Sequence, residues 1–414
     1  MVKKTQTPQA HATPDTANGS PAIGNVTTRD TTRSDLTTHG AAPALDRRRF
    51  LGTGMALGLG AGTLLADLGL NRYAAAQSAT PAPAGGGPPG GAPSGRPPLP
   101  PEPKVSQPPP LKNLKGKVAY ISASSDGIGL GIARAASNAG MIVVIGYRNE
   151  ERLKAALPLF KEGNAGVFPV KHDVTERDGW KSLLDQVKAK YGKLHLVVNN
   201  AGIKTLRQAS QAKYEEWDNA VAVNFTAIYN SVATCLPHML EHGEGGHFVT
   251  TASMGGLLPG INAGVYTSTK IAAVGIMEAL RVELESTNIG TSVFCPGGVL
   301  TDNYIGSGAE NPYHPPNRPN APPRPPGPSP MMDPLEAGER VLNGVVNNDL
   351  FILSHPEFKP GIQERFDAIM LSTPSVEAPI PQERVAYEKV VLRCGIYPRE
   401  IEHRKIKRKG YRNV

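Results

Sequence analysis

Cysteine is scarce: the 414-residue chain has three, Cys235, Cys295 and Cys394, with no two close together. That excludes a disulfide scaffold and a cysteine-based zinc site. The ten histidines show no metal-ligand spacing, so no metal is expected, and His314 and His355 read as incidental. Large apolar residues are few from Met1 to Asp46. Such a stretch cannot bury enough surface to offset chain entropy, so residues 1–46 are expected to be disordered. Long apolar runs are missing too, apart from the Gly- and Ala-rich stretch Leu51–Leu70, which Asp67 interrupts and which is barely long enough to span a bilayer.

That run has neighbours in a telling order. Arg47-Arg48-Arg49-Phe50 precedes it, and the small residues Ala74-Ala75-Ala76 follow, before Gln77. A basic region, an apolar region and a small-residue cleavage site describe an export signal at 47–76. The paired arginines followed by Phe-Leu resemble a bacterial twin-arginine signal, which implies a periplasmic protein with the nucleotide-loaded fold exported intact. An uncleaved membrane anchor is the alternative. Residues 77–110 are dominated by Pro, Gly and Ala and read as an extended linker. Regular apolar patterning begins at Leu111, leaving one folded domain at 111–360 and an extension at 361–414.

The formal charge of +8 is modest, and much of it sits at the ends, in Arg47–Arg49 and in the tail Arg404, Lys405, Lys407, Arg408, Lys409 and Arg412. The tail lacks the run of interleaved aromatics that single-strand binding needs, so no nucleic-acid partner is expected.

Within the domain, short apolar runs alternate with helical patterns. Lys117–Ile121 reads as a strand and Met141–Ile145 as a second. Between them lies Ser122-Ala123-Ser124-Ser125-Asp126-Gly127-Ile128-Gly129, opening a helix. A strand, a small-residue turn and a helix N-terminus suit a dinucleotide, because glycine admits the pyrophosphate and the free amides stabilise its charge. Further strands are expected at Phe168–Val170, Leu194–Val198, His247–Thr251, Thr291–Cys295 and Leu350–Leu353. The fold class is therefore α/β, a doubly wound parallel sheet. After the second strand stand Tyr147-Arg148 in place of an acid. Arg148 can make a forked contact with a 2′-phosphate, which favours NADP over NAD, whereas Asp126 would oppose it if nearby.

Tyr266 and Lys270 lie four apart on an expected helix running to about Glu285 and so share a face. At an effective dielectric near 20, an ammonium about 4 Å away is worth roughly 4 kcal/mol, enough to draw the phenol toward neutral pH for acid–base work. Ser253 stands thirteen residues earlier, just past a strand end.

In order and spacing, this set resembles the short-chain dehydrogenases/reductases over roughly Leu111–Leu353. The turn at Ser122–Gly129 matches the family's Gly-rich signature, with Ala123 at the first glycine position, where an extra methyl would crowd the turn. Asn199-Asn200-Ala201-Gly202 matches its N-N-A-G motif, and Asn224, Ser253, Tyr266 and Lys270 match its tetrad. The resemblance implies hydride transfer between NADP or NAD and an alcohol/carbonyl pair. Tyr266 would be the acid/base, Ser253 the partner of the substrate oxygen, and Lys270 the tuner of Tyr266 and binder of the nicotinamide ribose. Asn224 would hold a proton-relaying water. The cofactor contacts implied are Ser122, Ala123, Ser125, Asp126, Gly127, Ile128, Gly129, Arg148, Asp173 and Val174 (Asp173 toward the adenine), then Asn200, Ala201, Gly202, Tyr266, Lys270, Pro296, Gly297, Val299 and Thr301. A homodimer or homotetramer is implied as well. A nucleotide-binding sensor or scaffold, and an isomerase with tightly held nucleotide, stand as alternatives. Cys295 reads as core. The segment Asp302–Pro330, proline-rich from Pro312, reads as a lid or a surface excursion. The tail could wrap a neighbouring subunit.

Overall fold

The computed structural model describes residues 106–160, 166–301, 331–374, 380–382, 384–385, 395–406 and 410. The expected disordered region, the signal segment, most of the linker, the loop 302–330 with His314, and parts of the tail lie outside the described residues.

Seven strands form one parallel sheet in the order β3-β2-β1-β4-β5-β6-β7. They are β1 (Val118–Ile121), β2 (Ile142–Tyr147), β3 (Val167–Lys171), β4 (Leu196–Asn199), β5 (Gly246–Thr251), β6 (Ile289–Cys295) and β7 (Phe351–Leu353). All seven strands expected from sequence are present, with no end shifted by more than two residues. The order reverses between β1 and β4, which opens a crevice at the carboxyl ends of the strands. Strands buried on both faces read as unbroken apolar runs, and β5 and β6 are buried at every position.

Alternation along β1 feeds two cores. Val118 and Tyr120 enter a layer with Trp180, Leu183, Val232 and Met277, while Ala119 and Ile121 enter one with Ile132, Ala136, Val341 and Val345. The first layer is closed by α3 (Arg177–Tyr191), α5 (Ala227–His242) and α6 (Gly264–Glu283), the second by α1 (Gly127–Asn138) and α7 (Pro334–Asn347). The helix α3 shows how sequence sets this: Trp180, Leu183, Leu184 and Val187 are buried at helical spacing, and Gly192 ends the helix at a φ of 78°. Pro334 starts α7, with the Asp333 carboxylate accepting from the Leu335 amide.

The helices α1 and α7 cross with almost no space between them. A Cβ on Gly338 would lie 2.4 Å from the Gly131 carbonyl oxygen, and one on Gly131 would lie 1.8 Å from that of Pro334. Between β2 and β3 lies α2 (Glu150–Ala156), and α4 (Tyr214–Val221) precedes α5. From α4 the chain passes into α5 through a π-helical turn, Ala222–Thr226, that sequence periodicity does not announce.

Two segments depart from expectation. The last linker residues are packed: the Gln107 amide donates to the carbonyls of Leu284, Thr287 and Ile289, and Asn348 donates back to Gln107. The extension supplies α8 (Lys359–Leu371) and α9 (Ile396–Lys405), and α9 folds onto its own domain. Arg399 pairs with Glu285, Arg404 with Asp349 at 3.2 Å, and the Ser106 hydroxyl donates to the Arg399 carbonyl at 2.8 Å. No helix among the described residues is long and apolar enough to cross a membrane.

Candidate active site

The crevice is a cleft of about 930 Å³ along the carboxyl edge of the sheet, at the upper end of the roughly 300–1,000 Å³ usual for ligand sites. Its walls come from the segments after β1 to β6, with Phe358 added from beyond β7.

Toward one end, inside β2 and β3, the turn after β1 leads into α1. Gly127 adopts φ 52°, and Ala123 adopts φ 48°, so a β-carbon is tolerated in the left-handed region where glycine is favoured. The Ser122 hydroxyl sits behind this turn, accepting from the amides of Asn200 and Ala201 at 2.9 Å. This ties the β1 turn to the N-N-A-G segment. Gly129 also sits behind, where a Cβ would lie 2.3 Å from the Ala123 carbonyl oxygen and 2.5 Å from the Asn200 amide nitrogen. Ser122 and Gly129 therefore shape the turn without lining the cleft. The first turn of α1 holds no acidic residue, so its amides and dipole face the cleft unopposed from within the helix.

Beyond lie Tyr147, Arg148, Arg152, His172 and Asp173. Arg148 pairs with Asp173 at 3.0 Å, and Arg152, which the sequence reading missed, pairs with Asp126. Asp126, the acid expected to oppose a phosphate, is thus balanced by a cation two residues into α2. Burial works to raise the Asp173 carboxyl, but bonds from the Thr175 amide and hydroxyl and from Arg148 together hold it below its ordinary value.

At the other end, Ser253 leaves β5, and Tyr266 and Lys270 project from α6. The Ser253 hydroxyl accepts from the Gly255 amide at 3.0 Å and stands near enough to the Tyr266 phenol to pull its pKa downward. Burial raises the phenol above its ordinary value, only partly offset by Ser253. The expected lowering toward neutrality is therefore corrected. The Lys270 ammonium donates to the Thr251 carbonyl at 2.9 Å, and burial draws its own pKa down to about 8. Cys295 lies fully buried beneath, its thiol pushed up by burial to about 12; it is core.

Asn224 lies in the π-helical turn, behind the cleft wall. Its side chain accepts from the Ile203 amide at 2.8 Å and donates to the Ile203 carbonyl and the Thr269 hydroxyl, both at 3.0 Å. All three contacts fix the segment after Gly202 against α6. A Cβ on Gly202 would lie 3.3 Å from the Lys270 nitrogen and 3.4 Å from Asn224 Oδ1, so the bare glycine leaves room for both beside it.

The turn Pro296-Gly297-Gly298 follows β6, with Val299 and Thr301 beyond it on the cleft wall. The Met254 amide donates to the Pro296 carbonyl at 2.9 Å, joining this turn to Ser253. His355 is not incidental. Its ring accepts from the Gly297 amide at 2.9 Å and contacts the Gly298 carbonyl at 3.1 Å.

Every residue expected to touch cofactor lines this one cleft except Ser122 and Gly129, which stand behind the turn. The residues present fit a dinucleotide: amides at a helix N-terminus for a pyrophosphate, a basic pair at one end, a phenol and an ammonium at the other.

Comparison with known proteins agrees. The family model described as short chain dehydrogenase matches residues 117–311. A solved chain assigned to the short-chain dehydrogenases, from Novosphingobium aromaticivorans, is 31% identical with a TM-score of 0.58, over 71% of this chain and 99% of that one. The C alpha-dehydrogenase of Sphingobium is 26% identical over 65% of this chain and 90% of its own. A short chain dehydrogenase/reductase from Burkholderia phymatum, solved in complex with NAD, is 25% identical with a TM-score of 0.55, over 65% of this chain and 99% of that one. The chain belongs to the short-chain dehydrogenase family. It is an NAD(P)-dependent oxidoreductase of that family, a short-chain dehydrogenase/reductase.

Proposed function

We propose that this enzyme interconverts a secondary alcohol and its ketone, prefers NADP, and takes a substrate with an apolar body. The convergence of Ser253, Tyr266 and Lys270 at one end of the cleft carries the reading. Bound nicotinamide supplies or accepts the hydride. For reduction, the Tyr266 phenol donates its proton to the carbonyl oxygen as charge builds there. Ser253, whose oxygen already accepts from Gly255, is left with its O–H to donate to the substrate oxygen or to the phenolate. The Lys270 ammonium stabilises the phenolate that forms and returns a proton to it, and a proton from solvent then recharges the lysine. Asn224 acts at one remove, holding the Ile203 backbone and Gly202 beside Lys270.

NADP preference is supported by Arg148 and Arg152 together, with Asp126 already paired. The substrate class is supported by Ile203, Leu206, Val223, Leu258, Pro259 and Phe358, apolar residues lining the same cleft. Assembly as a homodimer or homotetramer, and export by the Arg47–Ala76 segment with or without a retained membrane tether, belong to the same proposal; they rest on the family and on the sequence order. Purified full-length chain assayed for NADPH and NADH consumption against aryl, alkyl and polyhydroxy ketones tests it. Turnover confined to polyhydroxy ketones, or no turnover with either nucleotide, would sink the reading.

A further inference from the structure

The geometry points to His355 as a positioning residue for the end of the cleft where hydride is transferred. β6 and β7 pair in parallel, with Val293 opposite Phe351 and Cys295 opposite Leu353. Continued by two residues, this register sets 355 beside 297, just past the last paired strand. The contacts follow that register. The Gly297 N–H donates to His355 Nδ1 at 2.9 Å, and His355 Nε2 lies 3.1 Å from the Gly298 carbonyl oxygen. A carbonyl only accepts and an amide N–H only donates, so the ring is the neutral tautomer with its hydrogen on Nε2. The Ser354 hydroxyl lies 2.8 Å from the same Nδ1, whose one lone pair the Gly297 N–H already occupies. The 296–297 and 298–299 peptide units, on either side of the Gly297–Gly298 link, are thereby held by one imidazole, a donor and an acceptor in fixed relation.

Packing repeats the pattern. A Cβ on Gly297 would lie 2.8 Å from His355 Cγ and Cδ2 and 2.9 Å from Phe358 Cε2. His355 and Phe358 meet edge to face, with centroids 6.4 Å apart, and Phe358 lines the cleft. The bare backbone of Gly297 is thus pressed from outside by a ring that also bonds to it.

This matters because of where the turn lies. Pro296 accepts from Met254, the residue after Ser253, so the turn sits at the phenol end of the cleft, far along the sheet from Arg148 and Arg152. A hydride donor must reach the carbon whose oxygen faces Tyr266, so the nicotinamide half of a bound dinucleotide has to rest against this turn. His355 fixes that resting surface from behind without touching the reacting atoms. The inference rests on the dinucleotide reading of the cleft.

Full-length wild type, His355→Phe and His355→Asn are compared by equilibrium binding of NADPH and of 2′,5′-ADP, which spans only the adenosine half, and by kcat. Phenylalanine keeps the ring against Gly297 and Phe358 but leaves the Gly297 amide unpaired; asparagine restores an acceptor near Nδ1. The expected result for His355→Phe is NADPH binding and kcat each reduced about tenfold, with 2′,5′-ADP binding unchanged and partial recovery in His355→Asn. Equal weakening of both ligands would reduce His355 to a folding role and overturn the proposal, as would unchanged NADPH binding and kcat. Failure of wild type to bind either ligand would instead overturn the cofactor reading on which it stands.

Discussion

The Lys270 ammonium lies 5.6 Å from the centre of the Tyr266 ring, yet its hydrogen bond goes to the Thr251 carbonyl at 2.9 Å. The lysine is anchored to β5 while facing the phenol, so position and charge are supplied separately. Replacing Tyr266 by Phe removes the proton donor and leaves this anchorage intact. We expect kcat to fall roughly 100- to 10,000-fold while NADPH binding by fluorescence titration stays within about twofold of wild type. A variant keeping more than a tenth of wild-type turnover would remove Tyr266 from the chemistry.

Arg148 and Arg152 make a separable prediction at the opposite end. Each removal deletes a charge-assisted contact, so KM for NADPH should rise about tenfold or more in Arg148→Ala. KM for NADH should hardly move. Arg152→Ala should also release Asp126 from its partner and turn it against the phosphate. Parallel steady-state kinetics with both nucleotides decide this, and equal effects on the two would refute a 2′-phosphate role.

Gly338→Ala should destabilise the fold by about 1–3 kcal/mol, because the new methyl would collide with the Gly131 carbonyl and no side chain there can swing aside. The readout is the urea midpoint at unchanged slope. An unchanged midpoint would mean that α1 and α7 separate freely.

Acid should unfold the protein through two buried histidines. Burial, reinforced by Arg281, lowers His247 from 6.5 to about 3 against a smaller opposing pull from Asp349. Burial lowers His172 to about 4, with Asp173 opposing. Both are neutral when folded, so between pH 6.5 and about 4 the unfolded chain binds protons that the native chain does not. Stability is therefore complete above pH 6.5 and is lost as pH falls through that window, by at most about 1.4 kcal/mol per pH unit for His247. Urea melts at pH 7, 5.5 and 4.5 should show it, and His247→Gln should flatten the slope. Identical slopes in wild type and variant would contradict the assignment.

What could be read in advance divides along physical lines. Strands buried on both faces declare themselves as apolar runs, and the turn, the N-N-A-G segment, Ser253, Tyr266 and Lys270 are fixed by local spacing, so the sheet and most of the cleft were legible. Arg152 was missed because its partner Asp126 lies 26 residues away, on another turn. His355 was missed for a related reason: its meaning comes from strand register, and nothing around it in sequence names Gly297. The π-helical turn at Asn224 leaves no periodic trace. The raised phenol of Tyr266 shows how a pairwise Coulomb estimate is overtaken by burial, which acts on the same group with opposite sign.

The fastening of Ser106 to Arg399 and of Gln107 to the residues around Ile289 places the chain's entry into the domain at the amino ends of the strands. The cleft opens at their carboxyl ends. A tag, carrier or support joined ahead of residue 106 therefore attaches at the pole opposite the mouth, and immobilising the enzyme by that end should leave substrate access as free as it is in solution.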